Sequence, residues 1–254
     1  MLGSKKVVCI IPARLASTRL PKKILAPLAG KPLIQWVWEA ANKVELFDEI
    51  AFAIDDEETA KVITKFGGRF YMTSKECLNG TQRLIELQKS NRVKSDFWVD
   101  WQGDEPFITP SVINELLQSC GKDDADVWTL CKKITNTHEI FSPHIAKVVR
   151  NRDNEALYFS RSPIPYIREE RFEGKQIFYK HIGMYAFSSA GLEKIGKVEP
   201  CEIEVAEQLE QLRFLYAKLK IKVHETEHEI FGIDIPAHLE AAENFIEQRQ
   251  KSLI

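Results

Sequence analysis

Five apolar residues in a row, Val7-Val8-Cys9-Ile10-Ile11, stop at Pro12 and give way to a loop dense in basic side chains. An unbroken apolar run of this length reads as a buried strand, which commits the chain to a covered sheet. The loop reads Pro12-Ala13-Arg14-Leu15-Ala16-Ser17-Thr18-Arg19-Leu20-Pro21-Lys22-Lys23. Seven basic residues precede the first acid, Glu39, in a chain whose totals are 35 basic and 37 acidic. A concentrated positive loop at the carboxyl end of such a strand is where an open α/β sheet takes a polyanion, most often a phosphate.

Strand and helix signals then alternate. A helix is expected from about Pro32, a strand over Ile50–Ile54, and a helix capped by Asp55-Asp56 that ends at Gly67-Gly68. A short strand over Arg69–Met72, a helix opened by Gly80-Thr81 and a strand at Phe97-Trp98-Val99 follow. This alternation predicts a mainly parallel sheet with helices on both faces. The second half differs. Ile145–Val149 and Ala156–Phe159 flank a hairpin turn at Asn151–Asn154, and Ile182–Phe187 and Ile221–His224 read as strands. Val205, Leu209, Leu212, Tyr216 and Leu219 recur at helical spacing, which predicts one long helix over Glu202–Lys218. Pro236 starts a last helix. The expectation is a single domain over 1–254 with a β-rich subdomain at about 131–200.

Composition narrows the setting. A net charge of −2 gives no reason to expect nucleic-acid or membrane binding. Five scattered cysteines without C-x-x-C spacing fit reduced cytosolic thiols better than a disulfide framework or a zinc site. No stretch approaches membrane-spanning length, and the apolar run after Lys5-Lys6 is too short for a secretion signal. A cytoplasmic protein is expected.

Several residues carry candidate chemistry. In the first loop, Ala13, Ala16, Ser17 and Thr18 are small enough to let backbone N–H groups approach an anion. Arg14 and Arg19 can grip phosphate oxygens bidentately. The loop has neither the P-loop nor the dinucleotide glycine pattern. A solvated basic turn is the plainer reading, and the absence of nearby acids favours the anion site. Asp104, in Gln102-Gly103-Asp104-Glu105-Pro106, suits either a turn or a Mg²⁺ ligand at a strand end. Asp234 suits a helix N-cap or a second ligand of the same ion. Asn79-Gly80-Thr81-Gln82-Arg83 is a capping turn or a helix start that receives a ligand. His181, Gly183 and Tyr185 share one face of a strand. Glu207, Glu210 and Gln211 lie together on the long helix, as a solvated face or a site.

Taken together, IIPARLASTRLP, GKPLIQ, FGG with MTS, NGTQRL, QGDEPFI, KVV, ALYFSRSPIP, HIGMYAF, LEQLRFL and GIDIP resemble, in order and over nearly the whole chain, the 3-deoxy-D-manno-octulosonate (Kdo) cytidylyltransferases. Sialic-acid-activating enzymes share the first loop in general form but not FSR-x-x-IP with LEQLR. The resemblance implies a Rossmann-like α/β fold of the nucleotide-diphospho-sugar transferase type with a smaller β-rich insertion. It implies a cytoplasmic, Mg²⁺-dependent homodimer that makes CMP-Kdo and diphosphate from CTP and Kdo for lipopolysaccharide. Arg14, Arg19 and Lys23 match positions that hold the triphosphate, and the Gly80-Thr81-Gln82-Arg83 segment the part near cytosine and ribose; Ser17, Gly80, Thr81 and Arg83 join the three as expected nucleotide-binding residues. Asp104 and Asp234 match the magnesium ligands. Gln102, Arg161, His181, Tyr185, Glu210 and Gln211 match the sugar-acid pocket, with Arg161 expected on the sugar's carboxylate and His181 a candidate base. Arg14, Lys23, Asp104 and Asp234 form the expected catalytic set. Two departures stand out: Lys22 replaces the family's usual glycine, and Gln82 its usual glutamate. An acceptor such as 8-amino Kdo or a sialic acid remains an alternative. So do a glycosyltransferase, for which the D-x-D signature is missing, and a nucleotide-binding dimer without catalysis.

Overall fold

The computed structural model describes residues 3–168 and 177–251. In chain order the elements are β1 (Val7–Ala13), a 3-10 turn (Lys23–Leu25), β2 (Pro27–Leu28), β3 (Lys31–Pro32), α1 (Leu33–Ala41), β4 (Glu49–Ile54), α2 (Glu57–Lys65) and β5 (Phe70–Met72). Next come α3 (Gly80–Lys89), β6 (Phe97–Asp100), α4 (Pro110–Leu117), β7 (Val127–Lys133), α5 (Thr137–Phe141), β8 (Lys147–Arg150) and β9 (Ala156–Ser160). Then follow β10 (Tyr179–Ser188), α6 (Ser189–Ile195), α7 (Glu202–Glu207), α8 (Gln211–Tyr216), β11 (Ile221–Glu225) and α9 (Pro236–Lys251). The chain divides into two compact units, Met1–Ile113 with Glu229–Ile254, and Asn114–His228.

In the first unit β1 is buried at all seven positions, as its unbroken apolar run requires. It lies between β4 and β6, parallel to both, and β4 pairs in parallel with β5. Local chemistry sets the helix starts. The Asp56 carboxylate accepts from Glu58 N at 2.7 Å and opens α2. Asn79 accepts from Gln82 N at 3.0 Å, and Gln82 Oε1 accepts from Leu78 N at 2.7 Å. The Gln82 carbonyl thus reaches back past the N-cap to the residue before it, a bond that needs an acceptor oxygen but no charge, and Asn79 keeps α3 capped. Leu28, Leu33, Ile233, Ala242 and Ile246 form a buried cluster that packs α9 and the segment before it against β2 and the start of α1.

In the second unit β7 pairs in parallel with β11 and antiparallel with β10; β10 continues to β8 and β8 to β9. The β8–β9 hairpin turns at Asn151–Asn154 as expected. Two expectations fail here. Glu202–Lys218 is not one helix. Gln208 takes a left-handed conformation (φ 54°, ψ 47°) and separates α7 from α8. The carbonyls of Glu207 and Gln208, which a continuous helix would bond internally, accept instead from Arg161 Nε (2.7 Å) and Nη2 (3.3 Å). In β10 the pairing shifts between Ile182 and Tyr185, and Gly183 lies exposed in that irregularity. His181 and Tyr185 nevertheless keep to one face, with ring centroids 5.5 Å apart.

Candidate active site

The carboxyl ends of β1 and β6 place the two loops singled out from the sequence side by side. Gly103 N donates to Pro12 O at 3.3 Å, and a Cβ on residue 103 would fall 2.9 Å from that same oxygen. Only glycine permits this approach of the acid-bearing loop to the base of the basic loop. A third segment joins them, since Ile233 N donates to Asp104 O at 2.9 Å and so brings Asp234 alongside. The result is a cleft of about 280 Å³ lined by Arg14, Ser17, Arg19, Lys23, Asp104 and Asp234, among others.

Its centre is a shared cation. Lys23 Nζ donates to Asp104 Oδ2 and, at 2.8 Å, to Asp234 Oδ1, while Arg19 Nη2 reaches Asp234 Oδ1 at 3.3 Å. Acids 130 positions apart in the chain thus converge on one positive charge. Burial opposes the charged form of Lys23, but Asp104 and Asp234 outweigh it and hold its pKa above the ordinary lysine value. Burial likewise works against the charged form of Asp234, and the Lys23 hydrogen bond overcomes it, holding the carboxyl below its usual range. Glu105 shows the opposite. Its side chain is turned in among protein atoms, and burial first, then Asp104 and Asp234, push its pKa up to about 8. Two hard carboxylate oxygens aimed at one cation position form a donor set that fits Mg²⁺.

Lys22 sits left-handed (φ 51°, ψ 36°) where the resembled family has glycine, and its ammonium is held by Glu58 at 2.7 Å. Arg83 lines the cleft, yet its guanidinium is committed: Nη2 to Asp55 Oδ2 at 2.7 Å and Nη1 to Thr73 Oγ1 at 2.6 Å. Asp55 also accepts from Leu15 N at 3.3 Å, which ties the basic loop to α3 through Arg83. Thr81 is buried, and Gly80 backs onto the Asp100 carboxylate. Gln102 lines the cleft and donates to Asp100 Oδ1 at 2.8 Å.

The remaining expected residues lie in the second unit and divide into two groups. Thr129, His181 and Gln211 form a polar chain: Thr129 Oγ1 to His181 Nε2 at 2.9 Å, His181 Nδ1 to Gln211 Nε2 at 3.4 Å. Phe159 and Tyr185 pack on the imidazole, whose pKa burial lowers to about 3. It is a neutral ring and a poor base candidate at neutral pH. The second group centres on Arg161, whose guanidinium donates to the carbonyls of Glu207, Gln208 and, at 3.0 Å, Pro143. The Glu207 carboxylate accepts from Ser160 Oγ (2.5 Å) and Arg161 N (2.8 Å), whereas Gln211, on the other side of the break between α7 and α8, meets His181. Beside it, fully buried Lys147 donates to the carbonyls of Ser142 (2.9 Å), Ile145 (2.7 Å) and Arg161. Glu210 stands just before α8.

Comparison with known proteins decides the family. A cytidylyltransferase family profile matches residues 8–221. A 3-deoxy-manno-octulosonate cytidylyltransferase of Geobacter sulfurreducens is 41% identical over 92% of this chain and 96% of its own. One from Parabacteroides distasonis is 42% identical over 96% and 99%. The chain belongs to the 3-deoxy-manno-octulosonate cytidylyltransferase family. A solved CMP:2-keto-3-deoxy-manno-octonic acid synthetase complexed with CTP superposes with a TM-score of 0.90 at 39% identity, covering 96% of this chain and 99% of that one. As a cytidylyltransferase of this family, the chain has the expected α/β fold of mainly parallel sheet.

The sequence singles out the cleft's charged residues but not Asp100, which accepts from Gln102, nor Thr129 of the second unit. Asp55 is legible only as a helix cap, Lys147 only as part of KVV, and Glu207 only as a helix-face neighbour of Glu210 and Gln211. The one available signal was an acid, Asp100, closing an apolar strand.

Proposed function

We propose that this chain transfers the cytidylyl group of CTP to Kdo, forming CMP-Kdo and diphosphate. The observation that carries the reading is the pair of distant acids, Asp104 and Asp234, converging on one cation beside the basic loop. The anomeric 2-hydroxyl attacks the α-phosphorus and diphosphate leaves. Arg14, Arg19 and Lys23 neutralise the triphosphate, and Lys23 exchanges its carboxylate partners for phosphate oxygens as the nucleotide enters. Bound Mg²⁺, held by Asp104 and Asp234, would neutralise charge at the phosphate and acidify the attacking hydroxyl. Arg161 uses three of its five N–H donors on carbonyls, which leaves one on each terminal nitrogen for the sugar's carboxylate. Gln102, His181, Tyr185, Glu210 and Gln211 orient the acceptor. Positioning and charge stabilisation supply the catalysis, with no covalent intermediate.

The finer reading is a cytoplasmic homodimer that supplies lipopolysaccharide synthesis. Among the described residues no helix is long and apolar enough to cross a membrane, and Leu157 and Tyr158 of β9 expose apolar surface of the kind a partner copy covers. Diphosphate release with CTP, Mg²⁺ and a panel of Kdo, 8-amino Kdo and sialic acid tests the reading, with UTP and ATP in place of CTP as base controls. Kdo with CTP is expected to be turned over fastest. Silence with Kdo, or a preference for sialic acid, overturns the assignment.

A further inference from the structure

Thr129 is fully buried on β7, and its single hydroxyl meets three partners: Met184 O at 2.8 Å, Ile182 O at 3.0 Å and His181 Nε2 at 2.9 Å. Both carbonyls are pure acceptors, and they are presented together because β10 departs from regular pairing between Ile182 and Tyr185. A hydroxyl has one proton. If it went to the imidazole, two carbonyl oxygens would face an oxygen lone pair at 2.8 and 3.0 Å in a buried site, a repulsive contact with no proton between the oxygens. The proton therefore goes to the carbonyls, and the imidazole must donate. His181 carries its hydrogen on Nε2 and its lone pair on Nδ1. Nδ1 then accepts from the Gln211 amide, whose nearest approach is 3.4 Å. This fixes the amide with its NH₂ toward the histidine and leaves Oε1 as an acceptor.

From this proton count we infer that Thr129 is a positioning residue of the acceptor site: it sets the hydrogen-bond polarity of His181 and Gln211, so that Gln211 offers a carbonyl oxygen that selects an acceptor-substrate group able to donate, a hydroxyl or an ammonium, over one that only accepts. The inference rests on the reading that His181 and Gln211 serve the sugar acid. It also assigns His181 a fixed tautomer rather than a proton-transfer role.

The test is long-range ¹⁵N–¹H correlation of the histidine ring in the intact protein labelled at histidine, with the His181 signals assigned by loss in His181→Gln. Wild type and Thr129→Ser are expected to show the Nε2–H tautomer, and Thr129→Val a mixture or the Nδ1–H form. In steady-state assays Thr129→Val is expected to raise KM for Kdo about tenfold or more with KM for CTP within about twofold, and Thr129→Ser to restore it. An Nδ1–H tautomer in the wild-type spectrum, which needs no variant to fold, overturns the inference outright. The expected tautomers with an unchanged KM for Kdo would keep the polarity and remove His181 and Gln211 from the acceptor site. Equal loss for CTP and Kdo would reduce Thr129 to a fold residue.

Discussion

The two units solve the problem of holding a polar site in different ways. The cleft of the first unit gathers full charges, Lys23 between Asp104 and Asp234 with Arg14 and Arg19 at hand, in partly exposed positions. The polar chain of the second unit has no net charge: a hydroxyl, a neutral imidazole and an amide, aligned by one buried proton. Charges tolerate displacement because Coulomb attraction falls off slowly and has no direction. A neutral hydrogen-bond chain works only if every donor meets an acceptor. The first arrangement suits a triphosphate that arrives and leaves as a different anion. The second suits discrimination among hydroxyl-bearing acceptors.

The largest expected effect tests the charged side. Asp104→Asn removes one of two carboxylates facing the shared cation, and turnover should fall by about a hundredfold to a thousandfold with folding retained. Diphosphate release and circular dichroism measure the two; near-normal turnover at ordinary Mg²⁺ would show that the acid pair is not the operative feature. Next is the second unit's other polar group, around Arg161. Lys147→Met strips the donors from three inward-facing carbonyls, and at about 1 kcal/mol or more for each orphaned acceptor the variant should lose about 3 kcal/mol in urea unfolding. A loss under about 1 kcal/mol would mean that the loop carrying Arg161 does not depend on the buried ammonium.

The contrast also has a pH signature. Unfolded, His181 and His224 protonate near 6.5; folded, burial holds His224 to about 4 and His181 to about 3. The unfolded chain therefore binds more protons below 6.5, so stability falls as pH drops from about 6.5 toward 4. Melting temperature across that window should decline, and His224→Gln, which keeps a partner for Ser119, should flatten the decline. A flat profile in the parent chain would contradict burial of neutral imidazoles. The smallest effect is at Lys22. Lys22→Gly relieves a left-handed residue but loosens the unfolded chain and breaks an exposed pair with Glu58, so the net change should stay within about 1 kcal/mol, with KM for CTP nearly unchanged. A severalfold rise in KM for CTP would make Lys22 part of the nucleotide grip.

The same division governs what the sequence reveals. β1, β4 and β6, the caps Asp56 and Asn79, and the β8–β9 hairpin follow from runs and turn residues a few positions long, so they are readable. The Glu202–Lys218 helix fails because its apolar spacing is sound but its break is tertiary. Arg161, more than forty positions upstream, takes the carbonyls the helix needs. Val205 and Tyr216 from that stripe end up exposed while Leu209, Leu212 and Leu219 are buried. In the cleft, charged side chains in sequence clusters announce themselves. Asp55 with Arg83, and Thr129 with His181, are pairs 28 and 52 residues apart whose meaning exists only once the sheet brings them together.

The contact of Gly103 with Pro12 has a mechanical consequence. Beyond the β1–β6 ladder, the basic loop and the acid loop meet backbone to backbone at this contact, with no side chain as a cushion. A displacement of either loop is therefore passed to the other through the same backbone contact, which couples the position of the basic side chains to that of Asp104.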